Sequence, residues 1–286
     1  MNNTIKELID YGVKELQNSD TALLDARLIL SKVIKKDKLF IIVNRDYKVE
    51  PNQKTEYLQL IDQRKKNKPV KYILGECDFM GLDFYIEEGV LIPRSDTEVL
   101  VQELLKYIDE SQELKVCDLC TGSGAIAISL AYYRKNIKVD AVDYFKKPEK
   151  VTKINIEKHN LKERVTFIES DLLSELIKKG KKYDILVSNP PYIKRVEIEK
   201  LMNDVKDYEP GEALDGGEDG LYFYRKIISQ SKEVLVQNGI LAFEIGYDQG
   251  EQVRNLMENN NFEDVYVVKD LAGLDRVVIG KLILID

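Results

Sequence analysis

Tryptophan is absent from this chain, and histidine occurs once, as His159 within "NIEKHNLKE" on what reads as an exposed helix face. A single imidazole removes the Ser-His-Asp triad and any site that gathers several histidines around a metal. Cysteine is nearly as scarce. Cys77, Cys117 and Cys120 cannot make a disulfide framework, which agrees with a reducing compartment. Cys117 and Cys120 form a C-x-x-C spacing, but Cys117 falls inside a strand-like run and no second pair completes a zinc site. Both read as small packing residues, and no metal is expected. Long apolar runs are missing too: nothing approaches the roughly eighteen uninterrupted residues of a membrane span. The opening "MNNTIKELIDYG" has the pattern of an amphipathic helix start and lacks the charged-then-apolar order of a signal peptide. The expected setting is cytoplasmic, without a membrane partner.

What is present is enough chain for two cores: 286 residues with an apolar fraction of 44%. The net charge of −7 is unevenly spread, since residues 1–72 carry 15 Lys+Arg against 10 Asp+Glu and the remainder 28 against 40. Runs such as "QRKKNKPVK" and "KKGKK" read as solvated faces before they read as binding sites. Residues 3–67 have helical periodicity throughout, with Thr4 and Glu7 in capping-box spacing and a helix opening at Pro51. In 72–93, "YILGECDFMGLDFYIEEGVLIP", the period shifts to that of a β-hairpin around "MGLD". From Arg94 onward, where Ser95 and Glu98 again suit a capping box, strands alternate with helices. Strand-like runs fall at 115–119, 137–142, 165–169, 183–188, 239–245, 264–269 and 275–284. That rhythm predicts an α/β fold, a seven-stranded, mostly parallel sheet covered on both faces, whose last two strands are antiparallel because no helix separates them. The expected division is a helical domain at 1–71, a hairpin linker at 72–93 and an α/β domain at 94–286.

The first strand of that sheet runs into "VCDLCTGSGAIAISLA", where Gly122 and Gly124 let backbone approach a ligand at a helix N-terminus. The dinucleotide fingerprint G-x-G-x-x-G is not completed, because Ala127 stands at its third glycine, which argues against a nicotinamide cofactor. The second strand ends at Asp143, where a carboxylate can take the hydroxyls of a ribose. After the third strand, Asp171 is placed either to accept from an adenine amino group or to cap a helix, with Leu172 beside it. The fourth strand stops at "SNPPYI", because Pro190 and Pro191 remove two ladder donors. Taken alone this is punctuation as readily as chemistry. Together with the glycine loop and Asp143 it shares the carboxyl edge of the sheet, the ligand position in open α/β folds.

At this point the sequence resembles the HemK/PrmC family, the release-factor glutamine methyltransferases, which have a Rossmann-like class I methyltransferase sheet, an all-helical N-terminal domain and a hairpin linker. The resemblance covers nearly the whole chain. It is carried in order by "PVKYILGECDF", "GVLIPRSDTEVLV", "DLCTGSGAIAISLA", "SNPPYI" and "YEPGEALDGGEDGLYFYR". It implies S-adenosylmethionine as cofactor, with Cys120, Thr121, Gly122, Ser123 and Gly124 along its methionine portion, Asp143 on the ribose, and Asp171 and Leu172 at the adenine. It also implies that Asn189, Pro190, Pro191 and Tyr192 hold the glutamine of a Gly-Gly-Gln motif in a peptide chain release factor, with Asn189 shared between cofactor and substrate. Cys120 stands where many members have glycine and Leu172 where some have an aromatic.

The chemistry suits these residues. A carboxamide nitrogen is a poor nucleophile because its lone pair is delocalised, so positioning must do most of the work. The Asn189 side-chain oxygen can accept one N–H of the substrate amide, a carbonyl of the Pro-Pro turn the other, and Tyr192 can stack on its flat face. The same arrangement would serve transfer to exocyclic amino groups of adenine or cytosine in DNA or RNA. Against that reading, the catalytic part is acidic and no basic, aromatic target-recognition segment is found, so a nucleic-acid partner is not expected. A third reading is a nucleotide-binding module without catalysis.

Overall fold

The computed structural model describes residues 3–284. The chain divides into two compact units, one running to Glu76 together with Met202–Tyr208, the other comprising Cys77–Leu201 and everything from Glu209 onward.

The smaller unit is helical: α1 (Ile5–Glu15), α2 (Ala22–Ile34), α3 (Lys38–Val43), α4 (Pro51–Lys65) and α5 (Val70–Leu74). Ile5, Leu8, Ile9 and Gly12 recur at helical spacing and form the buried face of α1. The Thr4 hydroxyl caps α1 by accepting from the Glu7 N–H at 3.3 Å, and Pro51 opens α4 behind a Glu50–Gln53 capping box. Ile29, Leu30, Tyr57 and Ile61 complete the core, in which the Tyr57 hydroxyl donates to the Leu8 carbonyl at 3.1 Å. Asp25, a charged group buried in that core, is held by Arg64 Nε at 2.7 Å.

The larger unit begins with a hairpin, β1 (Glu76–Phe79) and β2 (Leu82–Tyr85). Its alternating residues Phe79, Leu82 and Phe84 lie in the same apolar cluster as the sheet and its helices. The expected linker therefore splits: Tyr72–Leu74 finish α5 of the helical unit, while the hairpin is part of the α/β core because its inward face is aromatic. There follow α6 (Thr97–Tyr107), β3 (Leu114–Leu119), α7 (Ala125–Tyr133), β4 (Ile137–Asp143), α8 (Lys146–Lys158), β5 (Val165–Glu169), α9 (Ser174–Lys178) and β6 (Tyr183–Ser188). Then come two short helices, α10 (Arg195–Ile198) and α11 (Asn203–Lys206), of which α11 lies in the segment that belongs to the smaller unit, and finally α12 (Tyr222–Ser231), β7 (Leu235–Glu244), α13 (Gly250–Glu258), β8 (Phe262–Lys269) and β9 (Asp275–Leu282). The Ser95–Glu98 capping box does not form. Asp96 precedes α6 and pairs with Arg276 at 3.2 Å, while Glu98 accepts the Met80 N–H at 2.7 Å and so ties α6 to the hairpin.

The sheet order is β5-β4-β3-β6-β7-β9-β8. β3 pairs in parallel with both β4 and β6, β7 continues the parallel run, and β9 is antiparallel to β7 and β8. One face is covered by α6, α7 and α8, the other by α9, α12 and α13, which gives two apolar layers, one on each side of the sheet. Strand order reverses between β3 and β6, so a crevice opens beyond their carboxyl ends. No helix among the described residues is long and apolar enough to cross a membrane.

Gly12 gives the first testable outcome. In a helix interior, alanine is ordinarily favoured over glycine by up to about 1 kcal/mol. Here a Cβ would fall 2.2 Å from the hydroxyl of the fully buried Tyr57 and 3.0 Å from Ala26 Cβ. Overpacking of a closed core costs about 1–3 kcal/mol, so Gly12→Ala is expected to lower the urea midpoint of the helical unit. An unchanged or raised midpoint would show that Tyr57 can move aside.

Candidate active site

The site grows from Asp118, near the end of β3, whose side chain is fully buried. Its Oδ2 accepts the Thr121 hydroxyl at 2.6 Å and the Ala127 N–H at 3.1 Å, which bends the intervening loop onto the start of α7. Burial pushes the Asp118 carboxyl up to about 7 against the pull of those donors. In the loop, Cys120, Gly122 and Gly124 have φ of 57°, 57° and 81°. Left-handed backbone costs an L-residue about 1–2 kcal/mol and glycine almost nothing, so Cys120 is the strained member of the three.

Asp143, at the end of β4, locks the loop from the neighbouring strand. Its Oδ2 accepts the Gly122 N–H at 3.0 Å, and its Oδ1 accepts the N–H groups of Tyr144 at 2.8 Å and Phe145 at 3.2 Å. Burial raises this carboxyl, with the three backbone donors acting in the opposite sense. Behind the loop, the Thr152 hydroxyl donates to the Gly122 carbonyl at 2.9 Å and the Asn155 amide to the Ser123 carbonyl at 2.9 Å.

In front of this loop lies a cleft of ≈ 440 Å³. That is within the roughly 300–1,000 Å³ usual for small-molecule sites. Cys120, Gly122, Asp143, Asp171, Leu172, Asn189 and Pro191 all line it. Thr121, Ser123, Gly124, Pro190 and Tyr192 do not: Thr121 and Ser123 are turned into the protein and Pro190 is buried. Asp171 does not cap α9, because Ser170 Oγ accepts the Glu175 N–H at 3.1 Å in that role. Leu172, at φ 48°, is the second strained residue on the wall. The lining carries four carboxylates, Asp143, Asp171, Glu212 and Asp215, against one lysine, Lys226. Arg195 takes up Asp215 at 2.9 Å, and Lys226 sits 4.6 Å over the Tyr222 ring. The single histidine is elsewhere, at the end of α8, where its ring packs on Phe84 and its Nε2 lies 3.0 Å from the Asp83 carbonyl.

β6 brings Asn189–Tyr192 to the same edge. Leu119 and Ser188 are register partners, and the Ser188 hydroxyl donates to the Leu119 carbonyl at 2.9 Å. The Asn189 side-chain nitrogen donates to the Thr97 hydroxyl at 3.3 Å, which leaves its oxygen as an acceptor. The Tyr192 hydroxyl lies 3.4 Å from Glu244 Oε1, and burial raises it so that it remains a donor. The Tyr192 carbonyl accepts from the Gln249 amide at 3.0 Å.

Sequence reasoning missed the cradle beneath this turn. Ile193 N–H donates to the Leu214 carbonyl at 3.0 Å, and Gly216 N–H donates to the Ile193 carbonyl at 2.8 Å. A Cβ at Gly216 would come within 2.6 Å of Tyr192 Cα, and one at Gly220 within 2.5 Å of the Tyr192 carbonyl oxygen. "DGGEDG" is thus glycine-rich because it packs backbone on backbone. The motif was visible, but its contact with residue 192 was not. Thr97 lies inside the motif "GVLIPRSDTEVLV", which gave no hint of its contact with Asn189, and Glu244 and Gln249 carried no local signal.

A doubly wound sheet with a glycine loop, an acid after the second strand and Asn-Pro-Pro-Tyr at the switch point defines a Rossmann-like class I methyltransferase. Residues 7–75 match the PrmC N-terminal domain family and residues 95–205 the methyltransferase small domain family. A release factor glutamine methyltransferase of Clostridium acetobutylicum is 50% identical over 270 residues, spanning 94% of this chain and 95% of that one. The chain belongs to the release factor glutamine methyltransferase family. Among solved structures, a methyltransferase from Pyrococcus furiosus shares the fold at a TM-score of 0.53 and 17% identity, covering 75% of this chain and 94% of that one. A protein described as a methyltransferase complexed with SAH shares it at 0.51 and 16%, covering 71% and 54%.

The buried carboxyls set a pH dependence of stability. Burial pushes Glu244 up to about 7, against the pull of Thr97, Arg276 and Tyr192. An acid with a raised folded-state value binds its proton more tightly folded than unfolded, so its contribution to stability falls as pH rises from the ordinary carboxylate range to about 7. Glu244→Gln is expected to make the fall in unfolding free energy between these values shallower by up to about 1.4 kcal/mol per pH unit. Urea titrations at several pH values measure this, and parallel curves for parent and variant would contradict it.

Proposed function

We propose that this chain transfers the methyl group of S-adenosylmethionine to the side-chain amide nitrogen of the glutamine in the Gly-Gly-Gln motif of a peptide chain release factor. The observation that carries the reading is the junction of β3 and β6, where the loop at 120–124 and Asn189 share one cleft. Kinship at 50% identity with a protein named for that activity supports the substrate.

The residues fit the cofactor. A carboxylate offers about four lone-pair sites, of which Asp143 uses three on backbone donors, leaving capacity for a ribose hydroxyl. Cys120 and Gly122 would run along the methionine portion, with Thr121, Ser123 and Gly124 fixing their backbone from behind. Asp171 and Leu172 would meet the adenine. The excess of carboxylates in the lining favours a cationic occupant. When bound, S-adenosylmethionine supplies a sulfonium methyl whose C–S electron pair leaves with sulfur as the N–C bond forms.

On the substrate side, Asn189 Oδ1 would accept one amide N–H and a carbonyl at Pro190–Pro191 the other, with Tyr192 against the flat amide. Two acceptors aim the nitrogen and favour the positive charge that grows on it. No strong base is required, because an N-protonated amide is acidic enough to lose its proton to water. The helical unit would contribute recognition of the intact release factor.

Asp143→Ala is expected to weaken S-adenosylmethionine binding roughly ten- to a hundredfold, as befits a lost charge-assisted hydrogen bond of about 1.5–3 kcal/mol. Asn189→Ala should cut turnover by about a hundredfold while cofactor affinity stays close to that of the parent. Calorimetry and transfer of labelled methyl to intact release factor measure both. Label appearing in nucleic acid, with none in the release factor, would overturn the reading.

A further inference from the structure

Past Ser188 the chain leaves the sheet, and Pro190 and Pro191 have no N–H with which to hold the turn in place. Contacts to its carbonyls take on that task. Behind the turn lies Gln249, which is 2% exposed. Its Nε2 donates to the Tyr192 carbonyl at 3.0 Å and to the Gly220 carbonyl at 3.2 Å. Its Oε1 accepts the Gly246 N–H at 2.9 Å, with the Tyr224 hydroxyl 3.4 Å from the same oxygen. Two carbonyls demand the nitrogen and a backbone N–H demands the oxygen, so the amide has one orientation. Gln249 stands at the N-cap position of α13, but its side chain makes no capping bond there, so helix formation does not account for it.

We infer that Gln249 is a positioning residue for methyl transfer, which sets the Asn-Pro-Pro-Tyr turn against the glycine-rich segment before α12 and so fixes where Asn189 and the Pro190–Pro191 carbonyls meet the substrate amide. This role rests on the assignment of that turn to the substrate glutamine. The two carbonyls that Gln249 draws onto one nitrogen belong to separate stretches of the cleft lining. Asn189 and Pro191 precede the first, and Asp215 and Tyr222 flank the second. Ile193 and Asp215 form an isolated parallel bridge, and Gln249 extends that contact to Tyr192 and Gly220. The junction has no slack. A Cβ at Gly220 would fall 2.5 Å from the Tyr192 carbonyl oxygen and 2.6 Å from Gln249 Nε2, and one at Gly216 would fall 2.6 Å from Tyr192 Cα.

Without the two donors of Gln249, the Tyr192 and Gly220 carbonyls face each other's wall with no hydrogen between them. A buried acceptor left without a partner is costly, so the turn shifts toward water or another donor. A displacement of about 1 Å in a positioning group is enough to cost about a hundredfold in rate. The cofactor loop lies outside this effect, because Asp118, Asp143, Thr152 and Asn155 hold it and Gln249 bonds to none of them. Gln249 therefore bears on the acceptor and leaves binding of the methyl donor alone.

Steady-state kinetics on a Gly-Gly-Gln peptide, calorimetry with S-adenosylmethionine and thermal unfolding of the full chain test this role. Gln249→Met keeps the length of the side chain and Gln249→Glu its shape, and the first has no donor and the second at most one. Each should lower kcat about tenfold or more, with peptide KM and cofactor affinity within about threefold of the parent. Added to Asn189→Ala, Gln249→Met should cost about threefold or less, since both changes act on one substrate amide. A parent-like kcat accompanied only by a lower melting temperature would make Gln249 a structural residue and overturn the inference. Loss of cofactor binding in both variants would do the same, as would an undiminished tenfold cost in the Asn189→Ala background. Parent-like turnover in Asn189→Ala would instead refute the role of Asn189 on which the inference stands.

Discussion

The parallel pairing of β3 with β6 is the constraint on which the site depends. Leu119 and Ser188 are partners in that ladder, so the residues after them, Cys120 and Asn189, leave the sheet side by side. The glycine loop and the Asn-Pro-Pro-Tyr turn thereby come to share one wall of the cleft. Each is then stiffened by its own buried carboxyl. Asp118 fixes the loop through Thr121 and Ala127, and Glu244 backs the turn through Tyr192. Both acids are held near 7 by burial, so rigidity on the two sides of the cleft is obtained in the same way, by groups that would rather be in water.

Local chemistry made much of this readable before any coordinates. The strands at 165–169 and 183–188 fall where their apolar runs end, the glycine loop opens α7, and Asp143 closes β4. Where pattern misled, a competing contact was responsible. The strand expected from 239 begins at Leu235, because a bulge carries the backbone through Asn238 at φ 62°. Ser95 and Glu98 have capping-box spacing, but Glu98 is drawn to the hairpin at Met80. The aromatic alternation of 79–84 was legible as a hairpin, while its place in the larger core was not, since that depends on α8, whose Asn155 bonds both the N–H and the carbonyl of Tyr85.

The candidate site was legible in its walls and hidden in its supports. Seven of the residues named from sequence line the cleft because each sits at a strand end or in a glycine loop, positions with a reason to be there. The residues that hold them come from 92 positions away for Thr97 and 52 for Glu244. No window of sequence relates Thr97 to Asn189, or Gly216 to Tyr192. Such pairings exist only once topology has brought separate edges together, and a buried polar contact leaves no periodic trace.

The sign of the cleft has a further consequence for turnover. The donor enters as a sulfonium cation and leaves as a neutral thioether of nearly the same shape. Hydrophobic contact alone could scarcely tell the two apart. A wall with Asp143, Asp171 and Glu212 against a single lysine can, because attraction to the cation disappears with the methyl group. On the proposed placement of S-adenosylmethionine in this cleft, spent product is held less firmly than fresh donor at equal concentration, and rising salt, by screening the carboxylates, narrows that preference.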